Sequence, residues 1–330
     1  MKIEPKFSVI IPVYNRPEEM DELLASLSAQ TFPNIEVIVI EDGSSIDSRS
    51  IVEKYSKQLD IQYFYKPNSG PGPTRNVGFE KAHGEYYVVF DSDCILPPTY
   101  FESVEKYLLT TKLDAWGGPD RGHESFTKLQ QAMAHTMSSV LTTGGIRGAM
   151  NRIGSYQPRS FNMGMSKETF LKTGGFSFDR FAEDIELSIR MKKLGLHVDL
   201  IPEAYVFHKR RATLSQFFVQ VANFGKGRVL IGSIHPGEIK LVHWFPSFFL
   251  IGLLFIPILF LFAKSIATWL SIFFSLYLLL ISLDGLQKTK SILVALWSIP
   301  SAVIQLAGYG AGFLAQKAKY LQGKKAHQTK

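Results

Sequence analysis

Two apolar runs, Phe245 to Ala263 and Ser265 to Leu283, stand back to back in this 330-residue chain with only Lys264 between them. Neither holds an internal charge, and each is long enough to cross a bilayer as a helix. Joined as one helix they would reach roughly 58 Å, about twice the hydrocarbon thickness. They must therefore turn near Lys264 and form a hairpin; the alternative for each run is a buried core helix. A third run, Ser291 to Ala315, is interrupted by Pro300, Gly308, Gly310 and Gly312.

Charge orients the hairpin. Lys288 and Lys290 follow the second run, and Lys317, Lys319, Lys324, Lys325 and Lys330 follow the third. A cytoplasmic N-terminal region puts Lys264 outside and Lys288 and Lys290 inside, as the positive-inside rule favours. A full third crossing would carry the lysine tail outside, so a re-entrant or interfacial third segment is the expectation. The net charge of +7 accordingly points to anionic membrane lipids and not to nucleic acid. The start, Met1 to Lys6, is charged, and no signal peptide is expected. The single cysteine, Cys94, excludes an internal disulfide.

The first two thirds read differently. Apolar strand-like runs, Phe7 to Tyr14, Ile35 to Glu41, Ile61 to Tyr65 and Glu85 to Phe90, alternate with helical patterns at Pro17 to Gln30 and Asp47 to Gln58 and with a helix to about His83 that the loop Asn68 to Thr74 opens. Met20, Leu23, Leu24 and Leu27 fall on one helical face. Further helices are expected at Pro98 to Thr110, Lys128 to Val140, Glu168 to Thr173 and Glu183 to Leu194, with a strand at Ser160 to Ser166. This order predicts an α/β fold, a mostly parallel sheet with helices on both faces, followed by transmembrane helices. The predicted boundaries are 1–230 for the α/β domain and 231–330 for the membrane region, with the hairpin at 245–283, the third segment at 291–315 and a basic tail. Ligands of such sheets bind at the carboxyl ends of the strands, where Asp42 and Asp91 both fall.

The fourth strand ends in Asp91-Ser-Asp93. Extended residues at i and i+2 project the same way, so both carboxylates reach one point. A hard divalent cation, Mg²⁺ or Mn²⁺ shared with phosphate oxygens, meets that demand; a solvated strand end is the plain alternative. Cys94 beside them reads as a small buried residue, since neighbouring acids raise a thiol pKa.

Five segments in order, Ser8-Val-Ile-Ile-Pro-Val-Tyr-Asn15, Val39-Ile-Glu-Asp-Gly-Ser44, Gly70-Pro-Gly-Pro-Thr-Arg-Asn-Val-Gly78, Asp91-Ser-Asp93 and Ala182-Glu-Asp-Ile-Glu-Leu-Ser-Ile-Arg190, make the chain resemble a family 2 glycosyltransferase with a GT-A nucleotide-sugar-binding domain over roughly residues 5 to 230. The resemblance implies that Asp42 accepts hydrogen bonds from a uridine-type base bordered by Pro12 and Tyr14, with an Asx turn over its own Gly-Ser loop as the structural alternative. It implies that backbone near Gly72 approaches the ligand and that Arg75 offers a planar cation to pyrophosphate. Asp93 becomes the more direct metal ligand, with Asp91 and a histidine, His208, completing the site. Asp184 becomes the general base, with Glu183 a neighbour or acceptor contact; helix capping is the alternative role for both.

The resemblance therefore implies a membrane-attached, metal-dependent inverting glycosyltransferase. It would move a sugar from a nucleotide diphosphate donor, UDP by expectation, to a lipid-linked or cell-envelope glycan acceptor, with its catalytic domain on the cytoplasmic side of the inner (plasma) membrane. Processive members carry Gln-x-x-Arg-Trp after the base. Here Gln220-Val-Ala-Asn-Phe lacks the Arg and Trp, which argues for single-sugar transfer over a polysaccharide synthase. A catalytically silent sugar-nucleotide-binding scaffold is the rival from another class, and the intact Asp93 and Asp184 argue against it.

Overall fold

The computed structural model describes residues 4–121, 126–143, 156–209 and 211–328. Contacts divide the chain into two units, 1–123 with 154–209, and 124–153 with 210–330.

The first unit opens with β1 (Phe7–Val13), α1 (Pro17–Ser28), β2 (Ile35–Asp42), α2 (Arg49–Tyr55), β3 (Asp60–Lys66), α3 (Pro71–Lys81) and β4 (Tyr86–Phe90). It continues with β5 (Cys94–Ile95), α4 (Tyr100–Thr110), β6 (Ala115–Gly117) and β7 (Asp120–Arg121). The second unit's insert, α5 (Lys128–Ser138) and α6 (Val140–Thr143), intervenes. Then come β8 (Asn162–Ser166), α7 (Lys167–Thr173), α8 (Glu183–Lys193), β9 (Val198–Leu200) and β10 (Val206–His208).

The main sheet has the order β3-β2-β1-β4-β8-β6-β9. Its pairings are parallel except at β8, which runs antiparallel to both β4 and β6. The expected mostly parallel α/β sheet is borne out, with β8 as the exception. Alternation along β1 builds two cores. Val9 and Ile11 join Met20, Leu23, Leu24 and Leu27 of α1 and Tyr100, Phe101 and Val104 of α4. Ile10 points the other way, to Phe79 of α3, Met163 and Met165 of β8, and Leu187 and Met191 of α8. Each fully buried side chain of this kind contributes about 1.5–3 kcal/mol. A small second sheet, β5-β10-β7, pairs Cys94 opposite His208.

The second unit holds α5, α6, α9 (Leu214–Ile234), α10 (Phe245–Phe262), α11 (Lys264–Thr289) and α12 (Ile292–Gln328). α10 and α11 reverse at Ala263 and pair antiparallel, with Phe249 against Phe274 and Tyr277. α12 is continuous where Pro300 and three glycines suggested a break. Pro300 removes the donor that would serve the Leu296 carbonyl, and the helix continues through it. The glycines serve packing: a Cβ on Gly312 would lie 1.9 Å from the Ala222 carbonyl oxygen of α9, and one on Gly310 2.5 Å from that of Pro246. α9, read within 1–230, packs with these helices, and so do α5 and α6. α10, α11 and α12 are each long and apolar enough to cross a membrane.

Candidate active site

All the candidate residues lie in the sheet unit. β2 and β4 flank β1, so Asp42, Asp91 and the Tyr14-Asn15-Arg16 segment emerge side by side at carboxyl ends of strands. Tyr14 is half exposed, two residues past Pro12.

Asp42 is buried. Its Oδ1 accepts from the Ser69 backbone N–H at 2.9 Å and Lys66 Nζ at 2.5 Å, and its Oδ2 from the Gly70 N–H at 2.9 Å. It thus pins the loop that opens α3, not its own turn. That turn is held by Glu41, which accepts from Ser44 Oγ and from Ser48 N–H at 2.9 Å. Asn15 assists: in the left-handed region at φ 54°, its Oδ1 accepts from the backbone of Ser45 and Ile46. Burial pushes the Asp42 carboxyl upward, but Lys66, Ser69, Thr74 and Gly70 outweigh it and hold the carboxyl below the usual range. Gly72 brings backbone close to Phe178: a Cβ there would lie 2.0 Å from the Phe178 carbonyl oxygen.

α3 carries the loop's order to the second carboxylate pair. Arg75 is 2% exposed and donates from Nη2 to Asp91 Oδ1 at 2.7 Å and from Nη1 to Glu183 Oε1 at 2.9 Å. One guanidinium therefore ties the end of β4 to the start of α8. Burial works against its charge, and the two carboxylates more than compensate. Glu183 is pushed up to about 7, first by burial and then by the charge of Asp184, against the pull of Arg75. Ala182, which precedes the pair, sits at φ 59°, a conformation rare for a residue with a Cβ. Asp184 accepts from the Ile185 N–H at 2.8 Å, and its other oxygen lies 3.6 Å from Arg159 Nη1.

Asp93 is held from two sides. Arg16 Nη1 lies 2.5 Å from Oδ2, and His208 Nε2 lies 3.1 Å from Oδ1. His208 stacks on Phe161 at 4.4 Å, and its buried Nδ1 has no hydrogen-bond partner among the described residues. Donor atoms of Asp93, Cys94 and His208 lie within 4.8 Å of one another. These residues fit a divalent cation. Neighbouring ligands on an octahedral ion with bonds of about 2.1 Å stand about 3 Å apart, as the carboxylate and imidazole do here. Cys94 donates to the Phe161 carbonyl at 3.4 Å, and burial, then Asp93 and Asp91, push its thiol well up, so oxygen and nitrogen dominate the donor set.

The geometry thus joins Asp91, Arg75 and Glu183 directly, and Asp93 with His208. Sequence reasoning missed Arg16, Lys66 and Arg159. Arg16 directly follows the first matched segment, and Lys66 ends β3, so position offered a signal for both; Arg159 offered none.

The model of the family described as Glycosyl transferase family 2 matches residues 8–181, more than half of the chain. The chain belongs to that family, and the expected glycosyltransferase class is borne out at this level. An uncharacterized glycosyltransferase of Rickettsia bellii is 46% identical over 90 residues, 27% of this chain and 13% of that protein. The poly(ribitol-phosphate) beta-N-acetylglucosaminyltransferase TarS of Staphylococcus aureus is 45% identical over 92 residues, 27% of this chain and 16% of TarS. The matches thus span under a fifth of either relative. Residues 1–349 of TarS, solved with UDP-GlcNAc, give a TM-score of 0.52 at 21% identity, covering 96% of this chain and 92% of that one. The mannosyltransferase PcManGT of Pyrobaculum calidifontis, solved with GDP-Man and Mn²⁺, gives 0.60 at 17% identity, covering 96% and 88%. At these identities the likeness establishes the GT-A fold.

Proposed function

We propose that this chain is a membrane-attached, metal-dependent inverting glycosyltransferase. It transfers one sugar from a nucleotide diphosphate donor to a lipid-linked or cell-envelope glycan acceptor. The observation that carries this reading is the buried Arg75, whose guanidinium binds both Asp91 and Glu183 and so holds the Asp91-Ser-Asp93 end of β4 beside the Glu183-Asp184 end of α8. The family membership supports it, as do the nucleotide sugars bound by TarS and PcManGT.

Asp42 and the half-exposed Tyr14 receive a uridine-type base, with Pro12 at its border. Asp93 and His208, with Asp91, would hold a divalent cation, and bound there it would supply Lewis-acid neutralisation of the diphosphate leaving group. Arg16 pairs with the Oδ2 of Asp93 and holds that carboxylate in place. Asp184 accepts the proton of the acceptor hydroxyl while that oxygen attacks the anomeric carbon and the bond to the diphosphate oxygen breaks. Arg159 orients the base. A single attack by the acceptor on the face opposite the leaving group inverts the anomeric centre. The apolar hairpin α10–α11 anchors the chain in the bilayer, with the sheet unit on the cytoplasmic side where nucleotide sugars are made.

A donor panel scored for nucleotide release, with Mn²⁺ and with chelator, tests the activity. Asp184→Asn keeps size and hydrogen bonding but takes no proton. Its turnover should fall about 10²–10⁴-fold while donor affinity stays within a few-fold. Turnover preserved in this variant reduces Asp184 to a helix-terminus residue.

A further inference from the structure

The three apolar helices of the second unit differ in what surrounds them. In the spans of α10 and α11 17% of residues are buried, against 44% in α12. What buries α12 is α5 and α9, together with parts of the hairpin. The His135 imidazole of α5 places Nδ1 3.0 Å from Ser298 Oγ of α12 and Nε2 2.8 Å from Asp284 Oδ2 of α11. Ser139 Oγ and Lys288 Nζ donate to the same carboxylate at 2.9 and 3.0 Å. Met133 and Met137 of α5 and Phe217 and Val221 of α9 share one apolar cluster with Ile304 of α12. Gly308 of α12 rests on Val221, and a Cβ on Gly225 of α9 would lie 2.2 Å from the Tyr309 carbonyl oxygen. From Ser298 to Phe313, α12 is therefore seated on these two helices.

Connectivity fixes the side of the membrane on which those helices stand. α5 leaves the sheet unit after β7 and the chain returns to it before β8. Crossing and returning takes about 40 apolar residues. The insert, 124–153, is shorter than that and contains Lys128, Gln130, Gln131, His135, Arg147 and Arg152. α9 follows β10 after a short link and carries Gln216, Gln220, Lys226 and Arg228. Neither helix suits hydrocarbon, and an element packed along both stays with them. The carboxylate of Asp284, with its His135, Ser139 and Lys288 partners, likewise marks that end of α11 as outside the hydrocarbon.

We infer that α10 and α11 cross the bilayer and α12 does not. α12 lies on the sheet unit's side as an interfacial helix, and Lys317, Lys319, Lys324 and Lys325 stay on that side. Its exposed first turns, Ile292, Leu293, Leu296 and Trp297, supply the lipid-facing contact. The inference rests on the membrane attachment proposed above.

Single cysteines in a Cys94→Ala background test it: Ser56→Cys in the sheet unit, Ser265→Cys at the hairpin tip and Gly323→Cys near the end of α12. All three positions are exposed, and a Cβ on Gly323 meets nothing within 4 Å. Sealed membrane vesicles are treated with an impermeant maleimide from either side. The expected result is Ser56→Cys and Gly323→Cys labelled from one side and Ser265→Cys from the other. Labelling of Gly323→Cys together with Ser265→Cys overturns the inference, as does labelling of all three from one side. Recovery of the full chain in the soluble fraction would instead defeat the membrane attachment itself.

Discussion

Asp42 orders a loop that belongs to the next strand–helix connection, and this sets how its charge responds to pH. Its folded carboxyl is depressed, so its contribution to stability is present above the unfolded value and lost as pH falls through the folded one. The difference in Tm between the wild type and Asp42→Asn should be full at neutral pH and shrink below about pH 4. A difference independent of pH would mean the carboxylate's charge is idle. Glu183 acts with the opposite sign: held up to about 7, it favours the folded state less as pH rises toward that value. Asp93 carries the metal prediction. Asp93→Ala should lose transfer by at least about a hundredfold with an unchanged far-ultraviolet spectrum, and Mn²⁺ affinity should fall with it. Full activity in that variant, or in excess chelator, removes the cation from the reaction. At this scale the acids were legible because carboxylates at strand ends stand out against apolar runs. Arg159 was not: it meets Asp184 only after the chain has folded, and nothing local marks it.

Elements were legible where one periodicity governed them. The α1 face of Met20, Leu23, Leu24 and Leu27 is buried as its spacing demands. The antiparallel setting of β8 left no mark, because Asn162 to Ser166 reads as a strand in either direction. α12 runs unbroken through its glycines. Read alone, Gly308, Gly310 and Gly312 weaken a helix; against α9 and α10 they permit backbone contact that a methyl group would block. Two variants of the same helix separate these effects. Gly312→Ala must push Ala222 away and should lower stability by about 1–3 kcal/mol. Gly323→Ala, in open space, should hold or raise it by up to about 1 kcal/mol through helix propensity. Equal thermal shifts for the two, measured in detergent, would show that α9 and α12 do not pack this closely.

The chain as a whole does not divide at one point in its sequence. Its second unit is assembled from two sequence-distant parts, 124–153 and 210–330. Sequence order hides this: a boundary near 230 follows the change in hydropathy, whereas the insert joins the apolar helices through contacts. Met133, Met137, Phe217 and Val221 lie at most 4% exposed in the cluster that Ile304 of α12 completes. His135, in the same insert, finds its partners Asp284 and Ser298 on α11 and α12. A chain ending at residue 240 retains every proposed catalytic residue yet uncovers that cluster and leaves His135 without those partners. Exposed methionine and aromatic surface of this kind drives association. Such a chain should therefore elute as aggregates in detergent-free buffer, and detergent should recover it. Replacing Met133, Met137 and Phe217 with polar residues in the shortened chain should reduce the aggregation. A monodisperse, active monomer without those replacements would mean that the insert and α9 are stable without the helices that cover them.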